Sequence, residues 1–226
     1  MHFDPSSRSR LGPRDLGMFP DDTLLHRVGR VVCAADCLPR KELFESWEVA
    51  RRARRRFRGG RVVDLACGHA LVAWLMLLLD DSSAAAIAID LRLPPSAAKI
   101  ADAMARAWPR LAGRVTLAVG AIDDVPVQRG DVLVSAHACG ALTDAVLTKA
   151  IAAPARVVVL PCCQDAAAGD QGGLGGWLDP ALAIDVTRAA RLRSAGFTVH
   201  TQRVPEAITP KNRLLLAEPS PPGDAG

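Results

Sequence analysis

The sequence predicts an α/β fold in which helices cover both faces of a mostly parallel sheet of seven strands. Runs of β-branched residues such as Val62-Val63 alternate with longer helical patterns along most of the chain, as in sheets built from strand-helix-strand crossovers. One such run leads through a small-residue turn into nine apolar residues, Leu71–Leu79. The last two strand patterns have no helical pattern between them, so they predict a C-terminal antiparallel hairpin.

Each element follows from composition or periodicity. The first 19 residues are polar with Pro and Gly, which predicts a segment that is flexible or lies along the surface. Asp21 or Asp22 is a suitable N-cap for the first helix. Apolar residues at helical spacing predict a second helix, which Gly59-Gly60 ends. The first predicted helix ends at about Ala35. The other predicted helices cover Arg40–Phe57, Gly68–Leu79, Ser96–Trp108, Leu142–Ala152 and Pro180–Ala195. The predicted strands are Arg61–Ala66, Ala84–Ile89, Val115–Val119, Asp131–Ala136, Arg156–Leu160, Phe197–Arg203 and Arg213–Ala217.

These elements define four predicted regions. They are a flexible segment (1–19), two N-terminal helices with a basic cluster (20–58), the α/β domain that contains the sheet (59–218) and a disordered tail (219–226). A chain of 226 residues, half of them hydrophobic, is long enough for one domain with a modest extension. The longest apolar run is too short to cross a bilayer, and the start has no signal-peptide pattern. We therefore expect a cytoplasmic protein with reduced cysteines.

The turn after the first sheet strand predicts a nucleoside site. Its pattern, Asp64-Leu65-Ala66-Cys67-Gly68-His69-Ala70, contains neither the G-x-G-x-x-G nor the G-x-x-x-x-G-K-[ST] phosphate-binding spacing. Asp90 ends the next strand, where a carboxylate can accept hydrogen bonds from the hydroxyls of a ribose. The combination favours a nucleoside whose binding does not depend on a phosphate loop.

Two further motifs follow the fourth and fifth strands. The segment His137-Ala138-Cys139-Gly140-Ala141-Leu142-Thr143-Asp144 follows the fourth, and Pro161-Cys162-Cys163-Gln164 follows the fifth. Because parallel sheets bind ligands beyond the carboxyl ends of their strands, we expect these motifs and the Asp64–Ala70 turn to share one edge.

Taken in order, these motifs resemble class I S-adenosylmethionine (SAM) methyltransferases, in particular the subfamily of acceptor-stem tRNA 2′-O-methyltransferases and related proteins. The resemblance covers residues 40–218, with Ala66 and Ala70 in place of two usual glycines and Gln164 where relatives often carry a His. The zinc-binding modules of the tRNA enzymes are missing from the sequence. The resemblance implies a Rossmann-like class I methyltransferase fold, SAM as cofactor and a structured RNA such as tRNA as acceptor. A small-molecule or protein acceptor, or a SAM-binding regulatory role without turnover, remains open.

The resemblance also implies roles for individual residues. Asp64 and Gly68 would line the methionine end of SAM, Asp90 would hold the ribose, and Asp123 or Asp124 would contact the adenine, with Asp123 favoured. A His near an acceptor hydroxyl can remove its proton, which makes His137 the candidate base. The predicted catalytic residues are His137 and Cys139; the predicted cofactor-binding residues are Asp64, Ala66, Cys67, Gly68, Asp90, Leu91, Asp123 and Ser135; the predicted substrate-binding residues are Lys41, Cys162, Cys163 and Gln164.

Two clusters have competing interpretations. The thiols of Cys139, Cys162 and Cys163 are candidates for a covalent nucleophile or, with His137, for a metal site. Adjacent cysteines lack the spacer of typical zinc sites, and free Cys is commonly buried, so the sequence favours thiols without metal. The basic cluster between Arg51 and Arg61 is either an RNA-binding surface or a solvated helix face.

Overall fold

A computed structural model describes residues 4–136 and 138–221 of the chain. Its helices are α1 (Leu24–Ala35), α2 (Arg40–Arg56), α3 (Leu71–Leu79), α4 (Pro95–Ala107), α5 (Ala141–Ala152) and α6 (Pro180–Ser194). Its strands are β1 (Val62–Leu65), β2 (Ala86–Asp90), β3 (Val115–Val119), β4 (Val132–Ser135), β5 (Arg156–Val159), β6 (Phe197–Arg203) and β7 (Arg213–Pro219).

All seven strands form one sheet in the order β3-β2-β1-β4-β5-β7-β6. The first five strands are parallel, and β7 runs antiparallel to both β5 and β6. The predicted fold class is therefore confirmed, including the C-terminal antiparallel hairpin. The strand order reverses between β1 and β4, so the chain leaves β1 and β4 toward opposite sides, which is where such sheets bind ligands.

Two apolar cores lie on opposite faces of the sheet. Successive strand residues point to opposite faces, so Val62 packs with the residues of α1 to α4 and Val63 packs with those of α5 and α6. Helices α1 and α2 share the first core with the sheet. Within the described ranges, no helix is long and apolar enough to cross a membrane.

The N-terminal segment is packed against the domain through a few apolar residues. A short 3-10 helix covers Pro13–Met18, and Leu11 and Phe19 are buried in the first core. The backbone N–H of Leu11 donates to the carbonyl of Leu38 over 2.9 Å. Residues 11–19 are thus anchored to the first core by two apolar side chains, whereas residues 4–10 are all exposed or half-buried. Residues 1–3, and 222–226 of the predicted tail, lie outside the described residues.

Two predicted helix starts are also corrected. Thr23, not Asp21 or Asp22, is the N-cap of α1, and its hydroxyl accepts from the N–H of His26. Helix α3 begins at Leu71 rather than Gly68 because the backbone of the preceding turn is not helical. Between β3 and β4 the chain forms a short 3-10 turn at Ile122–Asp124 instead of a crossover helix. Val119 at the end of β3 is consequently 71% exposed.

Candidate active site

The turn between β1 and α3 has an unusual backbone. Ala66 (φ 53°), Gly68 (φ 53°) and Ala70 (φ 60°) all lie in the left-handed region. Glycine adopts this conformation without strain, whereas the Cβ of alanine raises its conformational energy there. The turn therefore has the backbone of an alternating glycine loop although two of its three positions are alanine. Its N–H groups are also held in place, since Cys67 donates to the carbonyl of Ile89 over 3.1 Å.

The side chain of Asp64 connects the end of β1 to the first turn of α3. Its side chain is 1% exposed, and one carboxylate oxygen accepts from the N–H of Ala73 in the first turn of α3 at 3.1 Å. Burial raises the pKa of Asp64 well above its usual value, although the Ala73 hydrogen bond opposes the shift. The contact shown by the structure is thus structural, and the role at the methionine end of SAM stays a prediction.

Asp90 connects the turn to the neighbouring strand. Its carboxylate accepts from the N–H of Gly68 at 3.0 Å and from the N–H of Arg92 at 3.2 Å. A carboxylate has about four acceptor positions, so two hydrogen bonds leave capacity for a ligand. Asp90 also lines a cleft, which gives that capacity a place to act.

This cleft, which we call the Asp90 cleft, has a volume of about 180 Å³. Four of the predicted cofactor residues line it: Ala66, Asp90, Leu91 and Asp123. Leu91 is 69% exposed, so a planar apolar ligand would gain by covering it. The carboxylate of Asp124 instead accepts from the N–H of Ala121 at 2.7 Å. Asp123 is thus the acid of this pair that borders the cleft.

Sequence reasoning missed half of the lining. Gly120 and Ala121 follow β3, Ile89 precedes Asp90, and Leu142 and Ala145 come from the first turns of α5. Leu142 belongs to the motif after the fourth strand, but the sequence predicted no ligand contact for it. Its contribution depends on how α5 approaches β1, and a single sequence carries no signal for that packing.

A second cleft, which we call the Cys162 cleft, has a volume of about 670 Å³. It contains three of the predicted substrate-binding residues, Lys41, Cys162 and Cys163. The remaining lining comes from the N-terminal segment, α2, the β4 end and the β6–β7 turn: Ser6, Arg8, Pro39, Glu42, Glu45, Ala136, Ile208, Pro210 and Lys211. Arg8 was missed because its segment was predicted to be flexible. Lys41 pairs with Glu45 at 3.4 Å, so part of the positive charge is compensated.

The predicted thiols come together at this cleft. The sulfur atoms of Cys139, Cys162 and Cys163 all lie within 4.8 Å of one another, and Cys139 and Cys162 are 2.9 Å apart. Burial raises the pKa of Cys139 and of Cys162 above the ordinary thiol value. Both are therefore neutral thiols near pH 7 in this structure, which disfavours a covalent thiolate nucleophile.

Three other predicted residues have structural contacts. Ser135 is 1% exposed, and its hydroxyl accepts from the N–H of Ala138 at 3.1 Å. Gln164 donates from its side-chain amide to the carboxylate of Asp185 on α6 at 3.0 Å. The thiol of Cys67 is buried, and burial raises its pKa. The contacts of Ser135 and Gln164 hold the turns after β4 and β5, and the predicted ligand contacts of all three residues stay predictions.

His137 lies outside the described residues. A different histidine, His69, connects the turn after β1 to helices α2 and α4. Its Nδ1 is 2.6 Å from the Ser96 hydroxyl and its Nε2 is 3.2 Å from the Glu42 carboxylate. Burial lowers the pKa of His69, so the neutral ring, with the proton on Nε2, satisfies both partners. Sequence reasoning assigned no role to His69, because both partners are distant along the chain.

The basic cluster lies at the opposite edge of the sheet, where the parallel strands begin. Arg54 is 2% exposed and pairs with Asp80 at 3.2 Å, and Arg61 pairs with Asp131 at 2.7 Å. The other ion pairs of the cluster are Arg51 and Arg52 with Glu48, Arg56 with Glu218, and Arg58 with Asp80. Six of its seven arginines thus have acidic partners within the protein, and the RNA-binding role of the cluster stays a prediction.

The geometry defines a class of protein: a Rossmann-like fold with one cleft beyond the carboxyl ends of β1 and β2 and a larger cleft lined by Cys162 and Cys163. A family model described as a methyltransferase domain matches residues 43–169. This is more than half of the chain, so the protein belongs to this methyltransferase-domain family. The match includes most of α2, the β1 turn, Asp90 and both cysteine motifs. No protein of curated function matches the sequence significantly.

Solved structures support the fold. The chain is similar to an O-methyltransferase family protein from Burkholderia thailandensis (TM-score 0.54, 18% identity, 96% of this chain and 66% of that one). It is also similar to a tRNA methyltransferase from B. subtilis (0.52, 14%, 77% and 66%) and to a mitomycin 7-O-methyltransferase (0.51, 15%, 91% and 60%). The chain therefore spans slightly less than two thirds of each protein. At these identities the likeness shows the fold alone.

Proposed function

We propose that this protein is a SAM-dependent methyltransferase that binds its donor in the Asp90 cleft and its acceptor in the Cys162 cleft. The observation that carries the proposal is the left-handed turn Ala66–Ala70 hydrogen-bonded to Asp90. This turn places a tight backbone beside the Asp90 cleft, and Asp90 adds a carboxylate that can accept further hydrogen bonds there. The proposed roles of Asp64, Gly68 and Asp123 depend on this assignment.

The lining fits a nucleoside without phosphates. Asp90 and Asp123 place two carboxylates at the cleft, and these would repel a phosphate but accept hydrogen bonds from ribose hydroxyls or an exocyclic amine. Leu91 and Ile122 offer apolar surface for a purine ring. SAM, when bound, supplies a methyl group on a positively charged sulfur.

Methyl transfer requires that the acceptor atom be aligned with the methyl group. If that atom is a hydroxyl oxygen or a protonated nitrogen, a proton must also be removed. Alignment of the nucleophile with the methyl group accounts for a large part of the rate in such displacements. We assign the proton acceptor to His137, which follows β4 directly along the chain. A test is His137→Ala, with His200→Ala on β6 as the control: kcat should fall by about 100-fold or more in the first variant alone.

We propose a structured RNA such as tRNA as the acceptor. The support is the family resemblance together with Arg8, Lys41 and Lys211, which place basic side chains around the Cys162 cleft. Phosphate groups favour such a rim. The Arg51–Arg61 cluster gives little support, because its arginines pair internally at the other edge of the sheet.

The experiment has two stages. Calorimetry with SAM and with its demethylated product tests donor binding, and transfer of labelled methyl groups from SAM to total cellular RNA tests the acceptor. Lys211→Ala should weaken RNA binding and make it less dependent on salt, whereas Arg55→Ala, an exposed arginine of the basic cluster, should leave both unchanged.

Each stage has an outcome that contradicts the proposal. No heat of SAM binding would exclude the donor assignment. If SAM binds but no labelled methyl group appears in RNA, the result would instead favour a small-molecule acceptor. Glu42 and Glu45 in the same cleft would tolerate such an acceptor better than a phosphate backbone. Donor binding without transfer to RNA or to a metabolite extract would favour a regulatory SAM-binding protein.

A further inference from the structure

Three cysteine thiols from two separate loops meet at the Cys162 cleft. Cys139 follows β4, and the adjacent pair Cys162-Cys163 follows β5. Their sulfur atoms lie within 4.8 Å of one another, although Cys139 and Cys162 are 23 residues apart along the chain. Cys139 and Cys163 are exposed, and Cys162 is half-buried. A solvated ion can therefore reach the cluster without opening the core.

The two loops are fixed relative to each other by their backbones. The N–H of Gly140 donates to the carbonyl of Cys163 at 2.7 Å, and the guanidinium of Arg188 donates to the carbonyl of Gly140 at 3.0 Å. The hydroxyl of Thr143 donates to the carbonyl of Ala138 at 2.6 Å. The Gly140–Cys163 bond joins the two loops, and the other two bonds fix the loop that carries Cys139. The cluster is thus preorganised, which is a requirement of a built binding site.

We propose that Cys139, Cys162 and Cys163 bind one zinc ion through their three sulfur atoms. Thiolates select soft or borderline ions such as zinc over magnesium or calcium. Zinc–sulfur bonds of about 2.3 Å in a tetrahedral site place the sulfurs about 3.8 Å apart. The cluster meets this spacing if the closest pair, at 2.9 Å, separates by about 0.9 Å, which a rotation of the exposed Cys139 side chain allows.

The chemistry balances without a redox partner. Three S–H bonds break, three S–Zn bonds form and three protons pass to solvent, so the site gains a net charge of −1. The same cleft is lined by three cations and two acids, so its net positive charge opposes that of the site: Arg8, Lys41, Lys211, Glu42 and Glu45. Three thiolates leave the fourth tetrahedral position to a group outside the cluster, which is the arrangement of zinc sites that bind an exchangeable ligand.

The adjacency of Cys162 and Cys163 in the sequence does not exclude a metal site in this geometry. Ligands that come from a single turn need two to four residues between cysteines. Here the third ligand comes from the neighbouring loop, and the adjacent pair needs to supply only one side of the site. Among the described residues, the group of potential ligand atoms at this position consists of these three thiols.

The test is a metal titration of the full-length protein, stripped of metal and kept reduced with a phosphine. Cobalt(II) should bind at one equivalent with a sulfur-to-cobalt charge-transfer band, and zinc should displace it. Cys139→Ser and Cys163→Ser should each lower the affinity by more than the roughly 10- to 100-fold loss typical of residues that merely orient a ligand. Cys37→Ser, at a half-buried thiol outside the cluster, should bind cobalt like the wild type.

A second measurement covers variants that fail to fold. In the wild-type protein, zinc should protect Cys139, Cys162 and Cys163 from alkylation, as read by mass spectrometry, and leave the alkylation of Cys37 unchanged. The inference is overturned if the wild type takes up no stoichiometric metal, or if the cobalt band survives in the double variant Cys139→Ser Cys163→Ser. It is also overturned if zinc fails to protect the three thiols. None of these measurements requires SAM or methyl transfer, so the inference can fail independently of the proposed function.

Discussion

The two edges of the sheet use charged residues in opposite ways. Where the parallel strands begin, Arg54 and Arg61 are paired with Asp80 and Asp131 inside the protein. Where the strands end, Asp90 bonds backbone N–H groups and still borders a cleft. The first edge is rich in charge but internally compensated, whereas the second has fewer charges with capacity for a ligand. Local density of charge in the sequence is therefore a poorer guide to a site than the position of a charge at a strand end.

The largest expected effect belongs to the compensated edge. Arg54→Met leaves the carboxylate of Asp80, which is 6% exposed, without its closest cation, and breaking a buried pair in this way costs about 3–5 kcal/mol. Denaturant unfolding should show this loss, while the SAM affinity of the folded variant stays that of the wild type. The double variant Arg54→Met Asp80→Asn should recover part of the stability. An unchanged free energy of unfolding for Arg54→Met would refute the interpretation of this edge.

The second prediction concerns one acid from each edge. Asp90→Ala removes the proposed ribose contacts, and two hydrogen bonds to a charged group correspond to about 3 kcal/mol or more, so the SAM dissociation constant should rise about 100-fold or more. Asp131→Ala should lower stability and leave SAM affinity unchanged, because its carboxylate pairs with Arg61. Calorimetry of both variants separates the edges, and equal losses of affinity would contradict the assignment of the Asp90 cleft.

Much of the fold and part of the site follow from the sequence. Local patterns determine strand and helix positions, and the rule that ligands bind beyond strand ends brought Asp90 and the cysteine motifs to one edge. Leu142 and Arg8 could not be found this way, since they reach the clefts through packing of α5 and of the N-terminal segment. The basic cluster was equally undecidable, because Asp80 and Asp131 are distant along the chain from their arginine partners.

The third prediction uses pH to contrast the edges. Burial raises the pKa of Asp64 above 3.8, so its contribution to stability is complete below that pH and is lost as the pH rises toward the folded-state pKa, at up to about 1.4 kcal/mol per pH unit. For Asp80, burial alone would raise the pKa, but hydrogen bonds from Ser82 and Gly59 and the charge of Arg54 lower it below 3.8. Its contribution is therefore complete above that pH and is lost as the pH falls.

The two Asn variants should thus show opposite trends. Relative to the wild type, Asp64→Asn should gain stability as the pH rises above about 4, because an amide cannot ionise. Asp80→Asn should be less stable than the wild type at neutral pH, with a deficit that shrinks as the solution is acidified. Urea unfolding over a range of pH values measures both, and parallel curves for the two variants would show that the environments of these acids do not differ as the structure indicates.

The smallest expected effect lies in the turn that defines the ligand edge. Ala66 has φ 53°, and the left-handed region costs an L-residue about 1 kcal/mol. Ala66→Gly removes that cost but adds freedom to the unfolded chain, worth about 0.4–1 kcal/mol. We therefore expect a net change within about 0.5 kcal/mol, compared with a loss of about 1 kcal/mol for Ala105→Gly inside α4. A loss of similar size in both variants would show that Ala66 is not strained, and the turn would then owe its shape to packing alone.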